Sequence, residues 1–225
     1  MFIKFKRNDY RLFILCALIF LLGVISCDER KSNKNNISLD PRYLQIESIN
    51  SFANCNGPNG NYTTKVISKK DGALIFTQIF DYRDSPFMAK LSSDNKGFTL
   101  DENNKILDTL SNVSIEMIRS HDFHRLQTNP KSFFNQIKFK KRLDVTTELY
   151  SAIDRLNNPA KLYYDKAIKQ LRSVEFKNMM DTTQVIKIVY KKWDESNYGK
   201  LAKEIEIIQA EKDTFNFSFE TIKIN

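Results

Sequence analysis

The chain has 225 residues, with 35 Lys and Arg against 27 Asp and Glu and a formal net charge of +8 at neutral pH. That length suffices for one domain with a real core. The six glycines form no GxGxxG, GxxxxGK[ST] or GxSxG, so recognisable phosphate-cradling loops and the hydrolase elbow are excluded, and no nucleic-acid recognition motif accompanies the positive charge.

The first segment is a basic head, Lys4, Lys6, Arg7 and Arg11 against Asp9, followed by an uncharged run from Leu12 to Ser26. A basic head, a short apolar stretch and a small residue at its end describe a secretory leader. The run is short for a membrane span, which needs roughly 20 apolar residues, and Asp28 and Glu29 follow it directly. Val24, Ile25, Ser26 and Cys27 resemble the bacterial lipobox, whose cysteine receives a diacylglycerol and becomes the first residue of the mature chain. This implies a leader over 1–26, lipidation at Cys27 and a membrane anchor of several acyl chains, since one chain binds only marginally. The implied location is the cell envelope, most plainly the outer membrane, on its periplasmic face or at the cell surface; Asp28 and Glu29 resemble a surface-export signal. Cys16 leaves with the leader and Cys27 is taken by lipid, so Cys55 is a lone thiol that cannot form an intramolecular disulfide. It reads as a small buried apolar residue.

Residues 27–40 are polar and read as a flexible tether. From Pro41 the segment PRYLQIESINSFA predicts a helix capped by Asp40, with Leu44, Ile46, Ile49 and Phe52 as its apolar stripe. The cluster NCNGPNGN is a turn. Strand-like runs follow, the first two joined by Asp71-Gly72, a strong hairpin signal, with Leu74, Phe76 and Phe80 on one face of the second. SIEMIRSHDFHRLQ breaks the pattern and predicts a helix over 114–127 capped by Ser114, with NPKSFFNQI adding a short one. Beyond residue 138 the chain is strand-like to its end. Phe215, Phe217 and Phe219 alternate with polar residues, then the apolar phase moves to Ile222 and Ile224, which predicts a bulge near Thr221.

About ten strands joined by short turns predict a mainly β (α+β) domain built on an antiparallel sheet rather than βαβ units. LNNPAKLYYDKAIKQLRSVEF, VYKKWDESNYGKLAKEIEI and FNFSFETIKIN resemble the last third of the half-barrel family of the lipoprotein carrier LolA and the receptor LolB. The likeness is best over 145–225 and looser over 41–136. It implies, for residues 41–225, a curled antiparallel half-barrel with two or three short helices covering its concave face. It implies binding of an acyl chain, a lipid or a lipoprotein's acyl moiety in that cavity, without catalysis, cofactor or nucleic acid.

The candidate cavity-lining residues are Phe76, Phe80, Tyr163, Tyr190, Trp193, Phe215, Phe217 and Phe219. Aromatic stripes on strands are also ordinary core. His121 and His124, the two histidines of the chain, share a face if helical, the spacing of a metal pair. No third ligand is demanded by the spacing, so a role at a helix–sheet seam is the plainer expectation. A metal-assisted envelope enzyme on this pair and a purely structural lipoprotein are the alternatives.

Overall fold

The computed structural model describes residues 37–210 and 213–225; the leader, Cys27 and most of the tether lie outside them. The first strands are β1 (Ser48–Gly57), β2 (Gly60–Lys69), β3 (Leu74–Phe80), β4 (Phe87–Leu91), β5 (Gly97–Leu100) and β6 (Ile106–Thr109). Two short helices follow, α1 (Asn112–Arg119) and α2 (Phe123–Thr128). Then come β7 (Phe134–Arg142), β8 (Thr147–Asp154), β9 (Pro159–Asp165), β10 (Gln170–Lys177), β11 (Val185–Ser196), β12 (Gly199–Gln209) and β13 (Asp213–Ile224).

The described strands make one open antiparallel sheet of 13, in the order β6-β5-β4-β3-β2-β1-β13-β12-β11-β10-β9-β8-β7. The last strand therefore sits in the middle, with β1 on one side and β12 on the other. The sheet is strongly curled. Strands β4 and β9 stand eight places apart, roughly 38 Å across a flat sheet. Yet Arg155, just after β8, donates to the Asn95 side chain between β4 and β5 at 2.7 Å.

Thirteen strands exceed the expected ten, partly because two segments expected to be helical are strands. Over 41–54 only a 3₁₀ turn, Pro41–Gln45, forms under the Asp40 cap; β1 then takes over. Its inward residues Ser51, Ala53 and Cys55 are small, so no apolar alternation marks the strand. NPKSFFNQI likewise yields a 3₁₀ turn, Pro130–Ser132, and then β7. The helix expected over 114–127 is two helices. Ser111 caps α1, and Asp122 caps α2 by accepting the Arg125 N–H, which ends the first helix before the second starts. The Asp71-Gly72 hairpin forms, with Gly72 at φ +92°. The bulge falls where expected: Phe52 pairs with Thr221 and Ala53 with Phe219, leaving Glu220 unpaired.

The main core joins the inner faces of β1 and β8–β13 to Phe123 and Leu126 of α2. A second cluster packs Ile115 and Ile118 of α1 onto Val66, Leu74, Phe76, Ala89 and Leu91. Ile115 comes close because Gly97 lacks a side chain; a Cβ there would lie 2.6 Å from Ile115 Cγ1. Ile37 is buried and Leu39 packs beside it, so residues 37–40 belong to the folded domain rather than to the tether. Ile37–Asn225 forms one compact unit with its own core, which is what independent folding requires. No helix among the described residues is long and apolar enough to cross a membrane.

Candidate functional site

A pocket of about 260 Å³ opens where the inner faces of β10–β13 meet the junction of α1 and α2. Its floor is Phe176, Ile186, Ile188, Ile207, Phe215 and Phe217, with Tyr62 from β2 closing one side. Met117, Ser120, His121 and Phe123 form the roof. Asn178, Met179, Met180 and Gln209 complete the lining, and no Asp, Glu, Lys or Arg lines it. Met180 is 74% exposed and Met117 38%. Three methionines therefore border the pocket, and flexible thioethers can repack around apolar guests of different shape.

Of the expected lining residues, Phe215 and Phe217 reach the pocket. Phe80 stands behind the wall, its ring 5.3 Å from that of Tyr62. Phe76 belongs to the cluster under α1. Tyr190 is buried and donates its hydroxyl to the Phe123 carbonyl at 3.2 Å, and Trp193 packs beside it on the main core. Phe219 is buried against His124, ring centroids 4.4 Å apart. Tyr163 faces outward with Lys187 Nζ 5.6 Å above its ring, because Leu162 and Tyr164 take the inward positions of the same strand. The sequence reading missed the isoleucines of β11 and β12 and the pair Met179-Met180. That apolar pair between two strands, amid polar residues, was the available signal.

The two histidines are parted by the break between the helices. His121 Nδ1–H donates to the Met117 carbonyl (2.9 Å), and the ring stacks on Phe76 and Phe123. His124, 1% exposed, points into a gap in the sheet. Strands β12 and β13 pair only over Glu204–Gln209, so the inner edge of β12 before that has no strand beside it. Side chains from α2 fill it. His124 Nε2–H donates to the Ala202 carbonyl at 2.9 Å. Gln127 Oε1 accepts from Ala202 N–H at 3.2 Å, and Gln127 Nε2 donates to the Lys200 carbonyl at 2.7 Å. Tyr43 also donates toward Lys200, and Gln170 Oε1 accepts from Tyr43 (2.7 Å) and Gln127 (2.8 Å). Buried Arg125, between His124 and Gln127, ties the same helix to the carbonyls of Ile46 and Glu47. The seam fixes α2, and with it Phe123 at the pocket roof. No three His, Cys, Asp or Glu side chains gather among the described residues. Cys55 is buried against Thr64, and burial pushes its thiol up to about 12.

The seam makes a pH prediction. Burial pushes the His124 imidazolium down from 6.5 to about 4. The unfolded chain therefore takes up a proton that the folded chain refuses. Stability is lost as pH falls from about 6.5 to 4, by about 3 kcal/mol. Asp122 runs the other way, because burial raises it from 3.8 to about 6 and the folded chain takes up the proton first. The two nearly cancel in the wild type. In His124→Gln the amide still donates to Ala202 but does not titrate. Between pH 7 and pH 4 the stability of His124→Gln relative to wild type should rise by about 3 kcal/mol in urea unfolding. A difference independent of pH would show that His124 is not held neutral.

No family model and no curated protein matches the sequence. Solved structures do. A LolA superfamily protein from Nitrosomonas europaea superposes with a TM-score of 0.60 at 14% identity, over 85% of this chain and 90% of that one. A DUF1329 family protein from Desulfovibrio piger gives 0.55 at 10%, over 82% and 89%. A domain assigned to outer membrane lipoprotein sorting, from Vibrio parahaemolyticus, gives 0.53 at 11%, over 82% and 89%. The fold is thus LolA-like.

Proposed function

We propose that this is a lipid-anchored protein of the bacterial cell envelope, held by Cys27, that carries a single acyl chain in the pocket between sheet and helices. The observation that carries the reading is the lining: apolar floor, methionine border and no charged side chain. Such a site draws its affinity from removing methylene groups from water, about 0.8 kcal/mol each, and has no charged side chain to select a headgroup. Its volume, about 260 Å³, lies just under the range of drug-sized ligand sites and suits one chain rather than several. The LolA-like fold of the neighbours supports a role in lipid or lipoprotein trafficking.

Calorimetric titration of residues 28–225, prepared without detergent, with saturated fatty acids of increasing length tests this. Affinity should tighten by about tenfold for each added pair of methylenes, then level off once the pocket is full. Absence of binding at every length, with no lipid in the native mass spectrum, would leave a structural lipoprotein as the better reading.

A further inference from the structure

The turn between β7 and β8 spends apolar residues where no core needs them. Val145 is 84% exposed and Leu143 44%. The turn does not require either, because Asp144 sets its shape by accepting the N–H groups of Thr146 and Thr147 at 2.8 and 2.7 Å. Lys140, Lys141 and Arg142 lead into it, all exposed. Lys166, in the neighbouring β9–β10 turn, donates its backbone N–H to the Thr146 carbonyl at 2.8 Å, so the two turns lie side by side, and Lys166 is exposed there. Among the described residues the three lysines make no ion pair, and Arg142 approaches Glu148 only to 3.9 Å. Fewer acids stand beside these cations: Asp144, kept ionised by its turn's N–H groups, and Glu148 near Arg142, while Asp165, 2% exposed, is neutralised by Arg172.

A second observation gives this end of the sheet a direction. The Ser38 carbonyl accepts the Tyr164 hydroxyl. Tyr164 pairs with Glu148, one step from the Thr147–Asp165 pair that opens the turn. The described chain thus begins beside the patch, and the stretch from Cys27 to Ser38 can span at most about 40 Å. Whatever surface Cys27 is fixed to, this end is within reach of it.

We propose that the β7–β8 and β9–β10 turns form a second membrane contact. Leu143 and Val145 enter the headgroup region of an anionic bilayer, and Lys140, Lys141, Arg142 and Lys166 meet its phosphates. Apolar residues alone would suit many partners; set among cations that outnumber the adjacent acids they select an anionic lipid surface. The inference takes only its direction from the lipid anchor, and it does not depend on what the pocket holds. It also places the pocket. Phe176, Asn178 and Met179 lie at the far end of β10, whose first residue, Gln170, follows the turn, so pocket and patch are about 25 Å apart along the strand.

The test uses residues 28–225, which carry the compact unit but neither acyl chain nor leader. Flotation with vesicles of phosphatidylcholine, with and without phosphatidylglycerol, should show binding only to the anionic vesicles, falling as salt rises. Lys140→Ala with Lys141→Ala should weaken that binding by about 30-fold, from about 1 kcal/mol per charge, and Val145→Asp should weaken it by about tenfold or more. Lys187→Ala, elsewhere on the outer face, should change nothing. These positions are exposed, and circular dichroism checks that each variant folds. Failure to float with anionic vesicles, equal binding to both vesicle types, or variants that bind like the wild type would each overturn the proposal. The fatty-acid titration reads the pocket separately, so either reading can fail while the other stands.

Discussion

Gln127→Leu should cost about 4 kcal/mol of stability and lower the melting temperature by about 10 °C. The volume is nearly conserved and the site is fully buried, so neither lost packing nor exposure dominates. What the leucine removes is the partner of three polar groups. Ala202 N–H loses its acceptor outright. The Lys200 carbonyl and Gln170 Oε1 retain only Tyr43, whose single hydroxyl proton serves one of them. One buried donor and one buried acceptor are left without partners, at about 1–3 kcal/mol each. Gln136→Leu, on an exposed stretch of β7, should change stability by less than about 0.5 kcal/mol. Urea unfolding of both variants decides the matter. A cost for Gln127→Leu below about 1 kcal/mol would mean that water or a shifted strand completes the gap.

The other large effect is at the pocket floor. Phe217→Asp should abolish folding at neutral pH rather than merely empty the pocket. Phe217 is 1% exposed, with Phe123 edge-on at 5.0 Å and Tyr62 at 6.1 Å. Truncating such a ring costs about 3–5 kcal/mol, and an unpaired carboxylate among aromatic and aliphatic walls adds several more. The total matches or exceeds the stability of an ordinary domain. Sequence logic sets lining against core at this position; the structure makes one ring serve as both. Phe215, half-buried at the end of the same face, separates the two. Phe215→Asp should fold and lose fatty-acid binding. The measurements are near-ultraviolet circular dichroism for Phe217→Asp and calorimetry for Phe215→Asp. A folded Phe217→Asp would mean the pocket is wide and wet enough to solvate a charge.

What could be read from the sequence follows from what kind of signal each element leaves. The Asp71-Gly72 hairpin and the bulge near Thr221 are local events, one fixed by turn chemistry and the other by a slip in apolar phase, and both were legible. β1 was not, because its inward face carries Ser51, Ala53 and Cys55 where larger residues would announce a strand. The split between α1 and α2 was hidden because Asp122 sits within an apolar spacing that continues across the break. For the pocket, residue type pointed to aromatics, but position decides lining, and position depends on which ends of β10–β13 the helices leave uncovered. That is a long-range outcome no spacing records. The two histidines illustrate the same limit: three residues apart in sequence, they serve different clusters once a helix boundary falls between them.

The central place of β13 also sets a timetable. Until its 12 residues are made, β1 and β12 each end in a row of unsatisfied N–H and C=O groups, and no strand joins the two halves of the sheet. Open rows of that kind template pairing with other chains. Pairings as distant as Ile49 with Ile224 are slow to form. A nascent or partly translocated chain therefore stays in its most aggregation-prone form until β13 is made, and a chain broken off before Asp213 would carry two half-sheets with no strand between them. The exposed edges of β1 and β12 are covered only when β13 inserts between them.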